Sequence, residues 1–133
     1  MVIEDKNIVL AATCLLLSVA DADEVLEDGE LHIIEDIIKD FFELPQEEAT
    51  GFVQSAQNKL KAAAGLFEFG QILNAKFNHQ EKLEFIECVF EVAYADGDLH
   101  YLEHHTIKKI AHILHIERDE IIAAKGEIEA YLD

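Results

Sequence analysis

Tryptophan is missing from this 133-residue chain, proline occurs once and glycine six times. With so few chain breakers no stretch reads as a linker. With almost no alternation of β-branched residues, no strand pattern emerges. Cysteine is scarce too. Cys14 lies in the apolar run AATCLLL and Cys88 in FIECVF; they form no CxxC pair, and both read as buried free thiols. Basic residues are the next shortage: ten Lys and Arg face 28 Asp and Glu, a formal net charge of −18. A field of that sign repels phosphate backbones and anionic bilayers, which excludes nucleic acid as a direct partner and favours cations or basic protein surfaces. It also serves solubility by itself. Catalytic motifs are absent as well. There is no HExxH, no glycine-rich phosphate loop and no Ser or Cys beside a plausible base, so the chain reads as non-enzymatic.

Apolar residues, by contrast, make up half of the chain, enough for one core at this length. The longest apolar run, Ile8 to Ala20, ends in Ser18-Val19-Ala20, which imitates a signal-peptidase site. The preceding Glu4, Asp5 and Lys6 lack the positive region of an export signal, and the run is shorter than the about 20 residues that cross a bilayer. It reads as a buried helix of a cytoplasmic protein that does not span a membrane.

Helical periodicity runs throughout and predicts an all-α bundle of about seven helices. The expected helices cover roughly 4–22, 32–43, 45–64, 66–77, 79–95, 100–115 and 118–132. The first is apolar nearly all round, as a central helix would be. In the second, Ile33, Ile34, Ile37, Ile38, Phe41 and Phe42 face inward, and the Leu44-Pro45 step ends it. Pro45 and the acids Glu47 and Glu48 suit the start of the third, and Gly65 its end. Asn78 with Glu81 makes a capping box for the fifth, whose Glu81, Glu84, Glu87 and Glu91 are expected wet and Leu83, Ile86, Val89, Phe90 and Ala93 dry. In the sixth, Leu102, Thr106, Ile110 and Ile113 form the dry stripe. His104, His105, Lys108, Lys109 and His112 form a solvated face.

A repeat organises these helices. Asp28-Gly29-Glu30-Leu31-His32-Ile33-Ile34-Glu35 matches Asp96-Gly97-Asp98-Leu99-His100-Tyr101-Leu102-Glu103, 68 residues later. Upstream, Val19 to Asp23 matches Val92 to Asp96 at a spacing of 73, so the first half carries five extra residues between its helices. Downstream, Phe42-Glu43-Leu44 matches Leu114-His115-Ile116. The expectation is a single domain over 1–133, with one half at about 4–64, a connecting helix at about 66–77 and a second half at about 79–132.

The two junctions are acidic. Residues 21–30 hold six carboxylates, and the second junction has Asp96, Asp98 and Glu103. Like charges crowd cheaply only when solvated or neutralised by a cation, and oxygen donors select Ca²⁺ or Mg²⁺. An EF-hand register puts Asp28-Gly29 at loop positions five and six and Glu35 at twelve, but leaves Leu26, Val92 and Tyr94 where ligands belong. Capping explains the same pattern. Gly29 and Gly97 would take a backbone conformation reserved for glycine, His32 and His100 would be N-caps, and Glu35 and Glu103 would reach back to them. Capping and weak metal binding are compatible readings of the same turns. A zinc site on His100 and His104, four apart on one helix face and joined by Asp96 or Asp98, lacks a clear third ligand.

The A-x-A-D-G-x-L-x-x-x-E pattern, met at Val19 to Glu35 and again at Val92 to Glu103, resembles the TerB-like family. That family includes tellurite-resistance TerB proteins and the N-terminal domain of DjlA-type membrane co-chaperones, and the resemblance covers nearly the whole chain. It implies seven helices in two pseudo-symmetric halves, a stress-response role and a protein partner in a membrane-protein complex. It further implies metal binding by the junction acids, here Asp23, Asp28, Glu30 and Glu35 in the first half and Asp96, Asp98 and Glu103 in the second. The cation would be Ca²⁺ or Mg²⁺ before Zn²⁺. The insertion between Asp23 and Asp28, and histidine at the presumed cap positions, depart from the family pattern. The alternative is a metal-free interaction scaffold whose apolar groove between the halves would expose Phe67, Phe69 and Phe77. No feature of the sequence sets an oligomeric state.

Overall fold

The computed structural model describes the backbone of residues 3, 5–20, 28–95 and 101–132, and the side chains of the same residues except 28, 101–103 and 132. Among these residues there are seven helices and no strand: α1 (Lys6–Ala20), α2 (Asp28–Phe41), α3 (Gln46–Ala62), α4 (Phe67–Lys76), α5 (His79–Ala93), α6 (Tyr101–Ile113) and α7 (Arg118–Leu132). The predicted all-α bundle is the observed one.

Helix α1 is the hub, packed by α2, α3, α4, α5 and α6. Its start is capped by Asp5, whose carboxylate accepts from the Asn7 amide at 2.9 Å. Eleven of its residues are buried, and its two hydroxyls bond their own helix: Thr13 donates to Val9 O at 2.7 Å and Ser18 to Leu15 O at 2.6 Å. Polar atoms satisfied in this way can lie in an apolar surround without losing a hydrogen bond. The Cys14 thiol points across to Ala56 O of α3 at 3.7 Å. Phe41, Phe42, Phe77 and Phe85 join the end of α2, the end of α4 and the middle of α5, with centroids 4.9 to 6.4 Å apart in edge-on or tilted pairs.

Helix α4 is pinned to the end of α6. Asn74 Nδ2 donates to Ile113 O at 2.9 Å. Gly70 lets the two helices meet, because a Cβ there would lie 2.1 Å from Ile113 Cγ2. Both halves close their second helix in the same way. Glu43 (φ 54°) and His115 (φ 61°) take the left-handed conformation, and the next amide reaches back five residues, Leu44 N to Lys39 O and Ile116 N to Ala111 O, each at 2.9 Å. These are matched Schellman caps at matched places in the repeat.

Several expectations are corrected. Helix α2 starts at Asp28 rather than near 32, so His32 lies inside the helix and is no N-cap, and Gly29 has no positive φ. The acidic start of α2 tolerates helix because packing outweighs the turn preference of Asp-Gly. The Gly97 and His100 readings fall outside the described residues. Helix α3 ends at Ala62, ahead of Gly65, and Pro45 is its N-cap rather than its first residue. Of the three phenylalanines expected on a groove, Phe67 is 63% exposed while Phe69 and Phe77 are buried. Leu83 is only half-buried, and Phe85 joins the core instead. The Asn78–Glu81 capping box is present as expected, with both bonds at 2.8 Å.

Candidate functional site

The first acidic junction runs into α2. Asp28 is the first residue of that helix, and Glu35 stands two turns further on the same face. Glu30 is half-buried and Glu35 is 8% exposed. Rather than reaching back to a cap, the Glu35 carboxylate takes His32 Nδ1 at 3.3 Å and Gln46 Nε2 at 3.5 Å, and Gln46 also contacts Thr50 Oγ1 at 3.3 Å. Glu35 thus ties α2 to the first turn of α3. Asp23, Asp96 and Asp98 lie outside the described residues, and Asp28 and Glu103 are placed by backbone alone, as the first residue of α2 and the third of α6. Among the described residues no group of three or more His, Cys, Asp or Glu is placed to hold a metal ion. The junction's donor chemistry, carboxylate throughout, matches a hard divalent cation rather than zinc.

A family model described as tellurite resistance protein TerB matches residues 9–126. The chain belongs to the TerB family. No curated protein and no solved structure matched.

In this TerB-family chain the second half carries an acidic seam. Helices α5 and α7 run parallel, and their contacts advance together along both. His79 Nε2 meets Glu120 Oε2 at 2.6 Å near the start, the Glu87 and Glu127 carboxyls hydrogen-bond further on, and the Tyr94 hydroxyl bonds Glu129 beyond that. Glu87, expected wet, is half-buried. Burial, the bond to Glu127 and the nearby charges of Glu84 and Glu91 push its carboxyl up from 4.5 to about 7. Burial and Asp40 also push Glu91 upward. It lines a pocket of about 390 Å³ between α2 and α5 with Asp36, Asp40 and Cys88. Burial, with acid neighbours, drives the Cys88 thiol far up, and burial takes the Cys14 thiol to about 11. Both thiols therefore stay protonated and poor as nucleophiles near neutral pH. Cys14 is buried as expected, whereas Cys88 is half-buried.

Helix α6 presents the opposite charge. His105, Lys108, Lys109 and His112 are exposed, as the solvated-face reading expects, while Ile107, Ile110, Ala111 and Ile113 are buried. His104 departs from that reading, being half-buried with Nδ1 shielded and lacking a hydrogen-bond partner. With Lys108, His112, Arg118 and Lys125 it lines a groove of about 560 Å³ between α6 and α7, floored by Ile116, Ile121 and Ile122. The sequence carried the α6 half of this groove as histidine and lysine four residues apart; the α7 half depends on a helix contact that no local pattern encodes.

Among the described residues no helix is long and apolar enough to cross a membrane.

Proposed function

We propose that this TerB-family chain is a non-enzymatic, stress-response-type binding module whose acidic junctions take a divalent cation, Ca²⁺ or Mg²⁺ before Zn²⁺. What carries the reading is the density of carboxylates entering α2, six within residues 21–30, in a chain whose basic residues are outnumbered 28 to ten. Asp23, Asp28 and Glu30 are the candidate donors in the first half, and Asp96, Asp98 and Glu103 in the second. Glu35, already held by His32 and Gln46, is better suited to bracing α2 than to leading the coordination. On this reading the module works in the cytoplasm and meets a protein partner, a membrane-protein complex being the family-type choice.

The test is calorimetric melting of chelator-treated protein titrated with each cation. A saturable rise in Tm that is lost in Asp28→Asn/Asp96→Asn supports metal sites, because a ligand of the native state must stabilise it. Unchanged melting at about millimolar cation, several times any useful Kd, sinks the metal reading.

A second reading, a metal-free interaction scaffold, is favoured by one feature. Phe67 stands 63% exposed beside a groove of about 690 Å³ at the α3–α4 connection, lined also by Ala63, Leu66, Lys109 and Ile113.

A further inference from the structure

The α6–α7 groove reverses the sign of the molecule around it. Ten Lys and Arg serve the whole chain, and three of them, Lys108, Arg118 and Lys125, converge on this groove with His104 and His112. Among the described residues no carboxylate lies within salt-bridge distance of any of the three. Solubility does not call for cations in a chain at −18. Packing does not call for them either, since Lys108 and Arg118 are exposed. The His104 ring shares the groove with both lysines. Its shielded, unpartnered Nδ1 is a further polar atom left without a match. A negatively charged group in the groove would relieve both features.

We propose that this groove docks a short acidic, partly apolar peptide segment of a partner protein. Length and floor select the peptide over other anions. His104, Lys108 and His112 are spaced four residues apart, so they extend about 12 Å along α6, beyond the reach of one phosphate-sized ion. Ile116, Ile121 and Ile122 line the same trough, and Ile122 is 59% exposed, offering an apolar seat between the cations. Nucleic acid and anionic bilayers bring dense charge that the remaining acidic surface repels, whereas a short segment brings a few carboxylates to where the cations are. The proposal extends the binding-module reading by naming a partner chemistry, and it is independent of the cation.

The experiment uses the full chain with chelator present, so that a failed metal reading leaves the result intact. A fluorescent peptide of alternating glutamate and leucine is titrated by anisotropy against its glutamine–leucine counterpart. The variant is Lys108→Gln/Lys125→Gln. Lys59→Gln/Lys61→Gln, on α3, serves as a charge-matched control, and both variants are checked for fold by circular dichroism. The glutamate peptide binds, its affinity drops about tenfold or more in the groove variant and on raising salt from about 0.05 to about 0.2 M, and the control variant binds like the parent. Equal binding of both peptides, equal binding by the groove variant, or no binding at all overturns the proposal. Displacement of the peptide by millimolar inorganic phosphate assigns the groove to a free anion instead. Lysine-dependent co-sedimentation with phosphatidylglycerol vesicles assigns it to membrane, and lysine-dependent dimerisation in sedimentation assigns it to a second copy. Each of these three also overturns the peptide.

Discussion

Helices α1 and α5 hold the same place in the two halves, yet they meet their third-helix partners through opposite chemistry. At the repeat spacing of 73, Cys14 corresponds to Glu87 and Ser18 to Glu91. On the first side a buried thiol faces the backbone of Ala56 on α3. On the second, a carboxyl faces the carboxyl of Glu127 on α7. One seam is dry and keeps its charge through the neutral range, while the other changes charge near neutrality. The halves share a plan of helices but not an electrostatic design. The reason is position: α1 is wrapped by five helices, while α5 keeps Glu84 exposed and Glu87 only half-buried.

The widest break in this comparison should come from the dry side. Leu16, 1% exposed in the middle of α1, leaves a void when cut to alanine, and Leu16→Ala is expected to cost about 3 kcal/mol in urea unfolding. A loss under about 1 kcal/mol would mean that α1 is not the hub.

The wet side should respond more weakly and with a pH signature. The Glu87 carboxyl titrates at 4.5 when unfolded and at about 7 when folded, so the folded chain holds the proton longer. Its contribution is complete below 4.5 and is lost as pH rises through about 7. Glu87→Gln should therefore stabilise by about 1 kcal/mol at pH 8, after allowance for solvent screening, and by nothing near pH 4.5. Equal effects at both pH values would remove the shared proton from the seam.

The smallest effect sharpens the contrast within the second seam. The Glu117 amide donates to Glu120 at 2.9 Å; that bond first, and His79 second, hold the Glu120 carboxyl below its usual range. Its contribution is present above that range and is lost on acidification. Glu120→Gln should lower Tm slightly at pH 6, and the difference should shrink as the pH falls below the usual carboxylate range. A Tm difference that grows with acid would reverse the assignment.

The helices were legible because their signal is local. Apolar residues at helical spacing, one proline and the Asn78–Glu81 box located α3 through α7 to within a few residues, and the repeat anticipated the matched ends of α2 and α6. Local reasoning failed where local preference and packing disagree. Asp28-Gly29 reads as a turn by propensity yet begins α2, which moved His32 from cap to helix interior. It failed again where burial depends on a distant helix. Glu87 lies at the edge of the dry stripe of α5, and only α7 decides that it is covered. The basic groove needed the same non-local fact. The junction acids were chosen from sequence pattern and family resemblance; of these, Glu30 and Glu35 have described side chains, and Glu35 proved to be engaged with α3.

The paired left-handed caps bear on how such a repeat can diverge. Phe42-Glu43-Leu44 and Leu114-His115-Ile116 share no residue, yet they turn the chain alike. The turn is written in main-chain bonds, from Leu44 to Lys39 and from Ile116 to Ala111, and the left-handed residue in each has an exposed side chain. A non-glycine residue there costs only about 1 kcal/mol. Mutation could therefore rewrite both corners freely while their shape persisted, leaving kinship between the halves recorded in geometry after it had faded from the letters.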